Sequence, residues 1–219
     1  MLLLALDTAT PAVTVALHDG TAVLADAREI DARRHGELLL PAVDRVLTAA
    51  GRGLDEVTAL VVGTGPGPYT GLRVGLATAA ALGAARSLPV HGLGTLDAIA
   101  YATGLDEPFV VATDARRKEV YWARYADART RVTGPAVDRP ADVAALVGDL
   151  PAAGAGARLY PDAFPGLRPD LPEHASAAAL AALAAERLAA GQPLAEPVPQ
   201  YLRRPDARVP AGYKAVTRT

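Results

Sequence analysis

Residues Ala59 to Gly83 read ALVVGTGPGPYTGLRVGLATAAALG, and the rest of the chain is best understood outward from them. The apolar run Ala59 to Val62 is followed by four glycines and two prolines in the nine residues from Gly63 to Gly71. A helical pattern then begins near Thr70. That order predicts buried strand, tight turn, helix.

Backbone so rich in glycine comes close to something. Phosphate is one candidate, because a helix N-terminus offers free N–H groups and the positive end of its dipole. The spacing fits neither phosphate fingerprint: after Gly63-Thr64-Gly65 the next required glycine is Pro68, and no Gly-Lys-Ser/Thr follows. Pro66 and Pro68 also lack the N–H donors such a cradle uses. A turn shaped for close packing is the other reading, and spacing alone leaves both open.

The helix after the turn carries Gly71, Gly75, Ala79 and Gly83 on every fourth residue, a ridge of small residues along one face. Glycine inside a helix costs about 1 kcal/mol against alanine. The ridge therefore predicts a second backbone packed very close, from this chain or from a partner.

The 219 residues suffice for one large domain or two small ones with an unstapled core. There is no cysteine, which excludes disulfides and thiol chemistry. A net charge of −2 makes no electrostatic case for nucleic-acid binding by this chain alone. Lys118 and Lys214 are the only lysines, and in a chain this rich in alanine and proline the arginines reflect genome composition before recognition. The start, MLLLALD, has no basic flank and reaches Asp7 at once, so it reads as neither signal peptide nor membrane span. Ala175 to Ala185 is too short and too weakly apolar to cross a bilayer. The expectation is a soluble, cytoplasmic protein.

In chain order, Leu2 to Leu6 is a buried strand ending at Asp7. Val13 to Leu17 is a second strand, after the connector Thr8 to Ala12, and His18-Asp19-Gly20 turns into a third, Ala22 to Ile30. His35 to Ala50 is helical and ends at Gly51. Its face of Leu39, Val43, Val46, Leu47 and Ala50 is widened by Leu38, Leu40, Ala42 and Ala49 well past the roughly 100° one sheet requires. Pro41 predicts a kink or a late start. Pro89 to Leu93 is a strand, Thr95 to Thr103 a helix, and Gly104 to Pro108 a boundary. Further on, Pro140 to Leu150 reads as helix, Ala155 to Tyr160 as strand, Pro161 to Pro172 as loop and Ser176 to Ala190 as helix ended by Gly191. The proline-rich tail should be extended and fray after Arg204.

Between these lies a repeat. Phe109 to Asp114 matches Leu2 to Asp7, each an apolar strand with alanine two places before a terminal aspartate, and Val120 to Tyr125 matches the strand from Val13. The second strand begins six residues after the aspartate in both copies, which reads as an internal duplication. Two copies of strand, Asp-ended loop and strand follow the plan of the actin, hexokinase and Hsp70 (ASKHA) superfamily: an α/β fold of two domains with duplicated, ribonuclease H-like mixed sheets. The predicted units are 1–104 joined by 175–219, and a smaller one, 105–174. Asp7 and Asp114 would then face a shared cleft and hold a hydrated Mg²⁺. The alternative is that each carboxylate merely caps its own strand.

The segments LLLALDTATPAVTVAL, RRHGELLLPAVDRVL, GTGPGPYTGLRVGLA, ATDARRKEVYWARY and PQYLRR together closely resemble the TsaB (YeaZ) family. The resemblance covers nearly the whole chain. Its most specific part is the pairing of Asp-Thr-Ala-Thr with Gly-Pro-Gly-x-x-Thr-Gly-x-Arg-x-Gly. It implies a subunit of the bacterial machinery that places threonylcarbamoyl on the tRNA adenosine beside the anticodon. The family's catalytic relative, TsaD, holds a metal through a His-x-Glu-Gly-His element just after this same helix. Aligned through Leu88-Pro89, that element puts Thr95 and Ile99 where its histidines belong, so no metal is expected here. His18, His35, His91 and His174 have no metal-ligand spacing either.

The second loop, Ala115-Arg116-Arg117-Lys118-Glu119, has no glycine with which backbone could approach a phosphate. The resemblance thus implies a degenerate nucleotide site with Asp7, Thr8, Thr10, Asp114 and Arg116 as its candidates, and no resident cofactor beyond weak or interface-shared ATP or ADP. No serine sits in a Gly-x-Ser-x-Gly elbow, so no catalytic residue is assigned. The expected function is a noncatalytic subunit that pairs with TsaD and, through it, with the ATPase TsaE. Alone it should form a homodimer, and it should not contact tRNA directly. The expected partner surface is Leu38, Leu39, Ala42 and Val46 on the first helix with Leu72, Gly75, Leu76, Ala79 and Gly83 on the second. Two competing readings are an ATP-dependent kinase or acyltransferase using Asp7 and Asp114, and a monomeric binding domain.

Overall fold

The computed structural model describes residues 1–203. The first sheet takes β1 (Leu3–Asp7), β2 (Ala12–His18), β3 (Val23–Ile30), β4 (Ala59–Gly63) and β5 (Val90–Leu93) in the order β3-β2-β1-β4-β5. The chain meanders antiparallel through β1, β2 and β3, then crosses over to lay β4 and β5 parallel on the other side of β1. Every residue of β1, β2 and β4 is buried, as expected of unbroken apolar runs covered on both faces.

One face is covered by α1 (His35–Ala50) and α2 (Tyr69–Arg86), through Leu39, Val43, Val46, Leu72 and Ala79. Gly51 ends α1 in the left-handed conformation, at φ 62°, as the sequence predicts. The helix runs through Pro41, so the expected late start is corrected. Pro41 and Glu37 are both exposed, and water can meet the Glu37 carbonyl that loses its helical donor.

The other face carries α6 (Ala177–Ala189), whose Leu180, Ala181 and Ala184 pack on Leu3 and Ala5. Ser176 caps it, accepting the Ala179 N–H at 3.4 Å. Beside α6 lies α3 (Thr95–Thr103), which turns Leu96, Ile99 and Ala100 toward the second sheet.

That sheet joins β6 (Phe109–Asp114), β7 (Val120–Asp127), β8 (Thr130–Asp138) and β9 (Ala152–Ala153) in the order β8-β7-β6-β9. Its β6-β7-β8 meander with β9 parallel to β6 repeats β1-β2-β3 with β4 parallel to β1. The duplication is therefore real, and the α/β, ASKHA-type plan of paired mixed sheets holds. Its outer face is covered by α4 (Pro140–Val147) and α5 (Ala155–Leu159).

Three stretches differ from the sequence reading. Ala155 to Tyr160 is not a strand: Gly154 leaves the extended run at φ 98°, and the helix formers Ala155, Ala157, Arg158 and Leu159 then make one turn and a half. β8 is unforeseen because TRVTGPAVD is an exposed edge, where Gly134-Pro135 costs little pairing. The helix expected to reach Leu150 ends at Val147, before Gly148. The tail after Arg204 lies outside the described residues.

Candidate functional site

The loop that leaves β1, Asp7 to Thr10, is where the glycines of the central stretch converge. A Cβ on Gly63 would overlap the Asp7 carboxylate, and one on Gly67 would overlap the Ala9 carbonyl. On Gly71 it would stand 2.6 Å from the Thr8 carbonyl, and on Gly75 2.6 Å from Thr8 Oγ1. Gly63, Gly67, Gly71 and Gly75 are thus the socket for one loop of the same chain, and the close-packing reading of the turn is the right one. Gly83 closes the ridge against Val90 of β5.

Thr8 penetrates furthest. Its hydroxyl donates to the Gly71 carbonyl at 2.7 Å and accepts the Gly75 N–H at 2.9 Å. In an uninterrupted helix those two groups bond each other, so Thr8 is wedged into the ladder of α2.

Asp7 is fully buried. Its Oδ1 accepts the Ala9 N–H at 2.8 Å and its Oδ2 the Thr95 hydroxyl at 2.8 Å, while Thr95 Oγ1 accepts the Gly65 N–H at 3.0 Å. Burial pushes the carboxyl up to about 6, against the opposing pull of those two hydrogen bonds and of His35. His35 itself donates from Nε2 to the Thr10 carbonyl at 2.9 Å.

Asp114, the counterpart in the second copy, is spent locally. It accepts the Arg116 N–H at 2.7 Å and pairs with the Arg116 guanidinium at 3.3 Å. Its loop is closed by Ala115 N–H to the Glu119 carbonyl at 3.0 Å and Glu119 N–H to the Arg116 carbonyl at 3.1 Å. Arg116, Arg117 and Lys118 lie in the left-handed region, at φ 62°, 57° and 61°. Without glycine or asparagine there, each costs on the order of 1 kcal/mol. Each aspartate is therefore bound into its own surroundings.

Three of the sequence candidates, Thr8, Thr10 and Arg116, do meet at a cavity of about 240 Å³, together with Arg33, His35 and Thr70. Neither Asp7 nor Asp114 lines it. Arg33 has no signal in the sequence, because one arginine in an arginine-rich chain forms no pattern. Two guanidiniums, an imidazole and the first turn of α2 make the cavity suited to an anionic group. Among the described residues its lining holds no carboxylate, and its charge suits an anion.

The expected partner surface needs correction. Leu39, Ala42, Val46, Leu72, Gly75, Leu76, Ala79 and Gly83 are all buried against this chain's own sheet and loop; of the set only Leu38 is partly exposed. Amphipathic helices turn their apolar arc to the sheet first, and the small residues of α2 are small because Thr8 and Val90 press on them. The outward faces instead carry Leu40, 56% exposed, and the alanines Ala77, Ala80, Ala81 and Ala84. Among the described residues no helix is long and apolar enough to cross a membrane.

A family model described as TsaD: tRNA N6-adenosine threonylcarbamoyltransferase matches residues 28–165. An uncharacterized protein of Mycobacterium tuberculosis is 47% identical over 208 residues, covering 94% of this chain and 93% of that protein. The tRNA threonylcarbamoyladenosine biosynthesis protein TsaB of Escherichia coli is 40% identical over 128 residues, which is 57% of this chain and 55% of that protein. Among solved structures, YeaZ from Pseudomonas aeruginosa superposes with a TM-score of 0.77 at 34% identity, covering 92% of this chain and 99% of that one.

Proposed function

The chain belongs to the TsaB (YeaZ) family, and on that premise we propose that it is a noncatalytic subunit of the machinery that makes threonylcarbamoyladenosine in tRNA, binding TsaD and, through it, the ATPase TsaE. One observation carries the reading. Thr95 and Ile99 stand at the positions that the resemblance assigns to the metal-holding histidines of TsaD. The Thr95 hydroxyl is committed to Asp7 and to the Gly65 N–H, and Ile99 is fully buried in apolar contact. Asp7, the residue a kinase of this plan would use, is sealed inside the fold and held by its neighbours.

The cavity at Arg33 and Arg116 falls below the roughly 300 Å³ at which enclosed small-molecule sites begin. It is the size for the phosphate end of a nucleotide, with a partner completing the rest, which is how ATP or ADP would be shared at an interface. The partner surface we assign is the outward face of α1 and α2, with Leu38, Leu40, Ala77 and Ala81. Two copies of such a face are self-complementary, so the free chain should form a twofold homodimer that competes with TsaD. Residues 1–104 with α6 form one unit in this reading and 105–174 the other.

The test is to mix the chain with TsaD of the same organism on a sizing column while measuring ATP turnover by the isolated chain. The proposal expects a heterodimer and no turnover above background. Brisk hydrolysis that Asp7→Asn abolishes would overturn it in favour of a kinase or acyltransferase.

A further inference from the structure

After α6 the chain crosses back over the molecule. The Ala195 carbonyl accepts the Gly92 N–H at 2.7 Å on the open edge of β5, and the Gln200 N–H donates to the Thr64 carbonyl at 2.8 Å in the glycine-rich turn. The Tyr201 ring stacks on Tyr69 with centroids 5.2 Å apart. Its hydroxyl accepts Arg73 Nε at 3.0 Å, and the Arg73 guanidinium lies 3.7 Å over the Tyr69 ring. Arg203 then reaches the second loop, donating to the Ala115 carbonyl at 2.8 Å and the Arg116 carbonyl at 3.4 Å and pairing with Glu119.

Those last contacts fall on the loop whose shape its own residues favour least. Arg116, Arg117 and Lys118 hold a left-handed run that glycine or asparagine would adopt more cheaply. A guanidinium that bonds two carbonyls of the loop and pairs with its final carboxylate supplies charge-assisted bonds that hold such a run from outside. Among the described residues, Arg116 is also the one lining residue that the second half of the chain contributes to the cavity; the rest come from residues 8 to 74.

We propose that Ala195 to Arg203 is a strap that fastens the two walls of this cavity together, with Arg203 as the positioning residue that sets Arg116. Ala195 anchors it on β5, and Tyr201 grips α2, which brings Thr70, Gly71 and Val74 to the cavity. Arg203 grips the loop that brings Arg116. The proposal deepens the reading of the cavity as an anion site and rests on it for its purpose, but the strap is measured independently.

Arg116, Arg117 and Lys118 are trypsin sites, which makes limited proteolysis of the full chain a direct probe of the loop. In Arg203→Gln, cleavage at 116–118 should rise about ten-fold or more, the scale of losing charged hydrogen bonds. Hydrogen exchange should rise with it at Ala115 and Glu119. Cleavage at Arg129 and Arg131, on the far hairpin, should stay at the parent rate. Arg203→Lys, which keeps the charge but not the two-carbonyl reach, should restore protection in part, and Glu119→Gln should loosen the same segment. With inorganic phosphate as the probe, Arg203→Gln should weaken binding as Arg116→Gln does. Unchanged protection of 116–118 in Arg203→Gln overturns the strap, as does loosening that spreads equally to Arg129 and Arg131. If the parent binds no phosphate, the anion reading of the cavity falls, and the protection measurement still upholds or overturns the strap.

Discussion

Gly75→Ala adds one methyl group at the point where Thr8 enters α2. That Cβ would stand 2.6 Å from Thr8 Oγ1 and 3.7 Å from Val62 Cγ2. The hydroxyl has to withdraw, giving up its bonds to the Gly71 carbonyl and the Gly75 N–H, worth about 1 kcal/mol each. Overpacking adds about 1 kcal/mol or more, and the better helix propensity of alanine returns about 1 kcal/mol. The net loss is about 2 kcal/mol, which in a domain of this size lowers the melting temperature by about 4 to 8 °C. Thr8→Ala alone should cost about 1 kcal/mol, since Gly75 N–H can then bond Gly71 directly. The double variant should be close to Thr8→Ala, a coupling of at least about 1 kcal/mol by chemical denaturation. Additive losses would refute the wedge. A Gly75→Ala protein that melts like the parent but no longer binds TsaD would return the small-residue ridge to a partner surface.

Asp7→Asn tests the sealed carboxylate. The folded carboxyl titrates at about 6 instead of 3.8, so as pH falls through that window the native state takes up a proton before the unfolded chain does, and the parent gains about 2 kcal/mol relative to Asp7→Asn between pH 7.5 and 4; a pH-independent difference in urea midpoints would contradict this. Thr95→Val removes the hydroxyl that Asp7 and Gly65 share, and should cost about 2 to 3 kcal/mol, more above pH 6 than below it; thermal melts at pH 5 and pH 8 would read the difference, and equal melts would count against the network. Leu40→Glu lies on the outward face of α1, so sedimentation should show weaker self-association and weaker TsaD binding at an unchanged melting temperature, and full association would put the partner surface elsewhere.

The fold was legible wherever one chemistry governed a segment. β1, β4 and β6 are unbroken apolar runs, α1 has a period and a glycine stop, and the duplicated aspartates mark matching strand ends in both sheets. β8 leaves no pattern in the sequence because an edge strand with Gly134-Pro135 has no buried face to enforce alternation. At the site, spacing showed that something presses on Gly63 to Gly75 but not what does. Gly71 looks the same from its neighbours whether it faces Thr8 or a second protein, because close approach is the whole of its message. Arg33 and Arg203 were beyond the sequence for another reason: their roles depend on which carbonyls and cavities the folded chain brings to them.

The two copies have closed their loops by different means, and the register records it. In the first hairpin Asp7 opposes Thr14 and Ala5 opposes Ala16; in the second Asp114 opposes Val120, and Ala123, the counterpart of Ala16, opposes Val111. The second turn is tighter by one residue, and it reverses through the left-handed run from Arg116 to Lys118. The first loop instead lies in a socket of glycines. A phosphate cradle requires backbone N–H groups aimed outward and unspent. Here Ala9 N–H goes to Asp7 and Ala12 N–H to Thr10, while Ala115 N–H goes to Glu119 and Arg116 N–H to Asp114. A nucleotide that took these four N–H groups would have to break bonds that hold both loops, whereas an anion at Arg33 and Arg116 breaks none of the four.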